Sequence, residues 1–289
     1  MDLGKCQQIH VLKYFYSRCM RVRTQYIKIV LKMSFKMDDL LVTDATVIRE
    51  KFLTTGCSKL DAILKGGIPC RGITQIYGAA STGKTQLALQ LCLSVQLPVT
   101  AGGLGAGAIY ICTETAFPSK RLQQLLHNSE IAKTHSVNGD VIFVTHIATI
   151  DELELCLQHK VPTLMNIHKI GLLIIDSIAA PYRVEDWKDQ MQGRSKRNVG
   201  RQLHELCKND DLCVICINQV SAVIDNHIII SEDAIEQPSL GFTWSSMITS
   251  SIYFYRRNFA RYACIMLASH LPRITFQFIV NKSGVKVIQ

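Results

Sequence analysis

No stretch of 18 or more residues in this chain is both apolar and free of charge, so no segment has the length and hydropathy of a membrane-crossing helix. Paired cysteine motifs are also scarce. The eleven cysteines are odd in number, scattered and mostly inside apolar runs, which argues for a reducing compartment and against a disulfide framework. One C-x-x-C, Cys213 and Cys216, lies in "LCVICIN", a buried-strand pattern with no second pair and no histidine pair beside it. It reads as packed strand, not as a zinc or redox centre. No internal repeat is visible. Positive charge is thin over most of the chain despite a net charge of +9. Residues 1–36 hold eight Lys and Arg against one acid, Asp2, so removing that +7 leaves about +2 on residues 37–289. Global basicity therefore does not argue for nucleic-acid binding.

What is present supports one sizeable α/β core with a modest appendage: 289 residues, 48% of them apolar. The appendage is the basic leader of residues 1–36, followed by a linker over 37–51 and the core over 52–289. Leu12, Phe15, Cys19, Val22, Tyr26, Val30 and Met33 fall on one helical face of the leader. That pattern fits a mitochondrial-type presequence, a surface-binding helix or the remnant of a small helical domain. A start placed too far upstream, with Met33 or Met37 nearer the true one, fits equally.

The most informative stretch is "QIYGAASTGKTQLALQLCL", Gln75 to Leu93. Gly78, Gly83, Lys84 and Thr85 match G-x-x-x-x-G-K-[ST], with Ala79, Ala80, Ser81 and Thr82 between the glycines. In such a loop successive backbone N–H groups wrap a phosphate, the lysine bridges the outer phosphates and the hydroxyl holds Mg2+. The context is correct: "ITQIY" before the loop is a β-rich apolar run, and "QLALQLCLSVQL" after it has neither Gly nor Pro.

Further apolar runs, "AIYICTE", "VIFVTH", "GLLIIDS" and "LCVICINQ", alternate with helix-like segments such as "SKRLQQLLHNSE" and "TIDELELCLQHK". This order predicts a mostly parallel central sheet covered by helices on both faces. The closing segments "MITSSIYFYRR", "YACIMLAS" and "ITFQFIVN" predict an antiparallel extension along one edge. Ligands of open parallel sheets collect beyond the carboxyl ends of the strands, so the residues ending each run are the ones to weigh. Asp176 is placed to hold a metal-bound water beside Thr85. Glu114 is placed to orient or deprotonate an attacking water, and Asn218 and Gln219 are amides able to sense a phosphate oxygen.

The ordered set "TTGCSKLDAIL", "GITQIYG", "STGKTQL", "YICTETAFPSKRL", "LLIIDS" and "ICINQV" resembles the core of the RecA-like recombinase family, in particular its eukaryotic paralogues. The resemblance spans about residues 52–289 and implies a RecA-like P-loop ATPase core. It gives Glu114 the place of the water-activating glutamate, Arg121 that of the adenine-stacking arginine, and Gln219 that of the γ-phosphate sensor. It also implies two DNA-binding loops, after the Asp176 and Gln219 strands. The first, Arg183 to Arg201, carries Arg183, Lys188, Arg194, Lys196, Arg197 and Arg201 against Glu185, Asp186 and Asp189, with Tyr182 and Trp187 for stacking. Of these, Arg183, Arg194, Lys196, Arg197 and Arg201 are the residues expected to touch DNA. The second loop has no Lys or Arg between Lys208 and Arg256 but does hold Asp225, Glu232, Asp233 and Glu236, so it faces protein or leaves DNA to the first loop. Pro238 and Gly241 resemble the segment that caps a neighbour's nucleotide.

Two departures are plain. The Phe-x-x-Ala segment that self-assembling members pass to the next subunit is missing between the leader and Phe52, and the usual helical N-terminal domain is not recognisable. A small hetero-complex is therefore expected in preference to long self-filaments. The resulting expectation is a weakly hydrolysing, DNA-dependent ATPase using ATP and Mg2+. It would act in homologous-recombination repair of double-strand breaks with other paralogues and the strand-exchange recombinase, on single-stranded or branched DNA. The nucleus is the expected compartment, with the cytoplasm a second and the mitochondrion a third if the leader is a presequence. Two alternatives stay open: an ATP-holding assembly subunit with negligible turnover, and a small-molecule P-loop phosphotransferase.

Overall fold

Strand order explains how the chain builds its site. The computed structural model describes residues 50–184, 189–208, 212–221 and 236–288. The leader, all of the linker but residues 50 and 51, and the second loop over 222–235 lie outside them, as does Trp187. Thirteen strands are formed among the described residues: β1 (Phe52–Leu53), β2 (Ile68–Pro69), β3 (Ile73–Tyr77), β4 (Gly107–Cys112), β5 (Ile142–His146), β6 (Ile170–Asp176), β7 (Cys213–Asn218), β8 (Val220–Ser221), β9 (Gln237–Pro238), β10 (Ser250–Arg257), β11 (Ala260–Leu267), β12 (Thr275–Asn281) and β13 (Gly284–Val287). Nine form one sheet in the order β13-β12-β11-β10-β3-β7-β6-β4-β5. From β5 across to β10 every pair is parallel, and from β10 to β13 every pair is antiparallel. The mostly parallel sheet and its antiparallel edge are those the sequence predicts.

The central strands are mostly apolar and are buried along nearly their whole length because both faces are covered. Along β6, Ile174 joins a cluster with Leu87, Leu91, Tyr110, Ile215 and Phe254, while Leu173 and Ile175 join Ile109, Val214, Val199 and Leu203 on the other face. The first face carries the helix Lys84–Ser94, and the second carries the helix Asp189–Leu206. Cys213 and Cys216 are fully buried in β7, as expected of a packed strand. Burial drives both thiols well above their usual range. None of the nine described cysteines is in a disulfide. No described helix is long and apolar enough to cross a membrane.

One expectation changes here. Residues 189–201 of the predicted first loop are helical, part of an 18-residue helix. Val199, Leu203 and Cys207 recur at helical spacing and are buried, so their apolar burial captures the flanking basic residues into the helix. Tyr182 is also 95% covered rather than presented as a platform, with its ring 5.6 Å from Lys196 Nζ. Exposure at 5% leaves no face for a stacked base.

Candidate nucleotide site

Register aligns the ends of the parallel strands. Cys112 lies opposite Asp176, Asp176 opposite Ile217, and Tyr77 opposite Asn218, so the residues that follow converge in one crevice. Gly78 begins the loop with φ 148, and a Cβ there would sit 1.9 Å from the carbonyl oxygen of Phe254 in β10. Only glycine allows the loop to leave β3 against β10. Ser81 (φ 61) and Gly83 (φ 117) complete the curl into the helix Lys84–Ser94.

Lys84 is buried, and its ammonium donates to the carbonyl oxygens of Gly78 and Ala79, both at 2.7 Å. Burial pulls its pKa below the ordinary lysine value, with Asp176 opposing the shift. Thr85 Oγ1 donates to Asp176 Oδ2 at 2.8 Å, and Tyr110 donates its hydroxyl to the same oxygen at 2.7 Å. Burial raises the Asp176 carboxyl pKa, against the pull of these two hydroxyls and of Lys84. No group of three or more His, Cys, Asp or Glu suited to a metal occurs among the described residues. The Thr85 hydroxyl and Asp176 carboxylate are hard oxygen donors, and Mg2+ is commonly held by one or two such groups with phosphates and water. These residues fit Mg2+.

Beside this pair, Glu114, Gln219 and Arg183 form a closed triangle. Arg183 donates to Glu114 Oε1 at 2.8 Å, Gln219 Nε2 donates to Glu114 Oε2 at 2.6 Å, and Arg183 also donates to Gln219 Oε1. The sequence predicts the meeting of Glu114 and Gln219 but assigns Arg183 to DNA. Arg183 is drawn into the crevice because it lies in the short helix Ala180–Val184, just beyond the end of β6. Asn218 is not a sensor: it is fully buried and donates to Gln75 Oε1 at 2.9 Å and to the Ser239 carbonyl at 2.8 Å. Trp244 Nε1 donates to the same Gln75 oxygen at 2.8 Å, making this a structural cluster beneath the site.

On the other side of the loop, a pocket of about 620 Å³ is lined by Ser81, Gly83, Lys84 and Thr85, by Arg121, and by the far end of the antiparallel edge. Arg121 is fastened at both ends: Nε donates to Gln86 Oε1 at 2.6 Å and Nη2 to the Asn281 carbonyl at 2.6 Å, while Gln124 accepts from Nη1. Gln90 ties the loop helix to this edge, its amide donating to the Thr55 carbonyl at 2.6 Å and accepting from Val285 N at 2.6 Å. Sequence reasoning missed Tyr110 and the β12–β13 contribution. Nothing local in β4 marks Tyr110 as different from its apolar neighbours.

Arg194, Arg197 and Arg201 are exposed along one helix face and line a groove of about 1080 Å³ with Asp151 and Glu154 on its other wall. Glu154 is occupied by Ser195 and Asn198. Lys196 points elsewhere, toward Tyr182.

Fold and site together define a RecA-like P-loop core. Comparison with known proteins agrees: the Rad51 family model matches residues 46–288. The chain is 38% identical to the DNA repair protein XRCC3 of cattle (Bos taurus), over 81% of this chain and 74% of that protein. It is 37% identical to the mouse (Mus musculus) protein of the same name, with the same coverage. It is 31% identical to the DNA repair protein RAD51 homolog 3 of Cricetulus griseus, over 81% of this chain and 68% of that protein. The chain belongs to the Rad51 family. Its segments "YICTETAFPSKRLQQL" and "DSIAAPYR" are those in which the likeness to XRCC3 is already visible.

Proposed function

We propose that this chain binds Mg-ATP at the loop and strand ends just described, hydrolyses it slowly, and serves homologous-recombination repair of DNA double-strand breaks in the nucleus. It does so as a paralogue in complex with other Rad51-family proteins on recombinase-coated single-stranded DNA. The observation that carries the reading is the convergence of Lys84, Thr85 and Asp176 on one side of the crevice with Glu114 and Gln219 on the other. The names of the relatives support the repair setting. Lys84 neutralises outer phosphates by exchanging its two loop carbonyls for phosphate oxygens. Thr85 and Asp176 hold Mg2+, which would neutralise charge on those phosphates. Glu114 orients the attacking water, Gln219 reports the γ-phosphate to the segment after it, and the guanidinium of Arg121 forms a wall for the base.

A second reading, in which the site holds ATP without turning it over, is favoured by one observation: both Glu114 oxygens are engaged by Arg183 and Gln219. Single-turnover hydrolysis by the intact protein and by Glu114→Gln separates the two. A loss of roughly 10²-fold or more is expected from removing a general base. Equal, background-level rates would leave only the holding role.

A further inference from the structure

Arg261 is a basic residue in the loop pocket that neither the motif nor the family resemblance assigns. It lies in β11, 177 residues after Lys84 in the chain, and lines the same cavity as Ser81, Gly83, Lys84, Thr85 and Arg121. Its Nε is buried and finds no hydrogen-bond acceptor among the described residues.

The sheet register sets a second cation beside it. Arg261 lies directly opposite Arg256 in β10. Directly opposed residues of an antiparallel pair project to the same face, and like charges there repel. The preceding pairs on this face are Ile252 with Ile265 and Phe254 with Ala263, all packed in the core cluster that also contains Leu87 and Leu91 of the loop helix. The arginine pair therefore comes one step beyond the apolar core, on the side of the sheet that carries the phosphate loop. Two opposed cations, one of them in the cavity wall, form half of an anion site.

We propose that Arg261 is a nucleotide-binding residue that donates to a phosphate oxygen of the bound nucleotide from the strand side of the pocket, with Arg256 adding to the field. The inference rests on the nucleotide site proposed above. An anion there offsets the repulsion between the two guanidinium groups, so binding ties the antiparallel edge to the loop.

The test compares the full-length protein with Arg261→Gln, Arg261→Lys and Lys84→Ala, by titration with a fluorescent ATP analogue plus Mg2+ and by thermal unfolding without nucleotide. Arg261→Gln is expected to weaken binding about tenfold or more, the worth of a hydrogen bond to a charged group. Arg261→Lys is expected to recover part of that loss. Without nucleotide, Arg261→Gln is expected to be at least as stable as the parent, because it removes a like-charge pair. ATP affinity within about twofold of the parent, a change too small for one charge-assisted hydrogen bond, would overturn the proposal. So would a clear fall in nucleotide-free stability, which marks a packing role. If the parent binds ATP and Lys84→Ala abolishes it while Arg261→Gln does not change it, the Arg261 proposal alone falls. If the parent binds no ATP, the nucleotide reading and this proposal fall together.

Discussion

Lys84 and the arginines of the helix Asp189–Leu206 are both cationic, yet they stand in opposite physical situations. Lys84 is 8% exposed and held by two carbonyl oxygens, whereas Arg194, Arg197 and Arg201 lie exposed along a helix face. The buried ammonium has already lost most of its water, so a phosphate reaching it interacts at low effective dielectric and displaces only two neutral partners. The exposed guanidinium groups keep their hydration and are screened over roughly 8–10 Å at ordinary salt. The first arrangement can recognise one ligand in one pose. The second can attract a polyanion without reading its sequence.

That contrast can be broken most directly at Lys84. Lys84→Ala is expected to lower Mg-ATP affinity by about 10²-fold, since at least two charge-assisted hydrogen bonds are removed, with little change between low and high salt. Equilibrium titration at two salt concentrations checks this. A strongly salt-dependent loss would put Lys84 in the same class as the helix arginines.

Asp176→Asn comes next. It keeps an oxygen to accept from Thr85 and Tyr110 but removes the charge, so affinity with Mg2+ is expected to drop about tenfold, to the value the parent shows in EDTA. Burial raises the folded-state carboxyl pKa above its ordinary value of 3.8. The neutral form is therefore favoured by folding. The group's contribution to stability rises as pH falls through that raised pKa and levels off below about 3.8. Thermal unfolding of nucleotide-free protein across pH is expected to show this rise in the parent, while Asp176→Asn lacks it and has the higher midpoint at neutral pH.

Replacing Arg194, Lys196, Arg197 and Arg201 together with alanine is expected to weaken single-strand binding several-fold at moderate salt, equally for all sequences. For every phosphate left without its cation, the slope of log affinity against log salt should become shallower by about 0.7. An unchanged slope in a fluorescence-anisotropy titration would remove DNA from this helix.

Arg183→Ala gives the smallest effect and decides which region Arg183 serves. Its ion pair with Glu114 is about half exposed and is expected to be worth less than about 1 kcal/mol. A change of up to about fivefold in ATP turnover, the equivalent of that energy, with an unchanged DNA salt slope would place it in the crevice. A lower slope with unchanged turnover would return it to the DNA surface.

Much of the site is legible because its chemistry lies at the ends of recognisable runs. Asp176 ends an apolar strand, Glu114 and Gln219 follow two others, and parallel pairing brings such ends together whatever the details of packing. The first loop is not legible, for a definite reason. Its basic residues dominate the composition, but Val199, Leu203 and Cys207 at helical spacing decide the local structure through burial. Asn218 escapes a local reading because its buried partners, Gln75 and Ser239, are 143 and 21 residues away.

By itself the amino-acid sequence determined the glycine-bounded loop between β3 and the helix Lys84–Ser94, because Gly78 and Gly83 act through backbone geometry within a few residues. It also determined the class of sheet, because continuous apolar runs between amphipathic segments have few ways to be covered. Only the tertiary structure decided that Tyr110 and Thr85 share one Asp176 oxygen, that Arg183 closes on Glu114 and Gln219, and that Arg261 reaches the loop pocket. These meetings depend on strand register and on which edge the antiparallel strands extend. Those are set by cooperative packing over distances in the chain that no local pattern records.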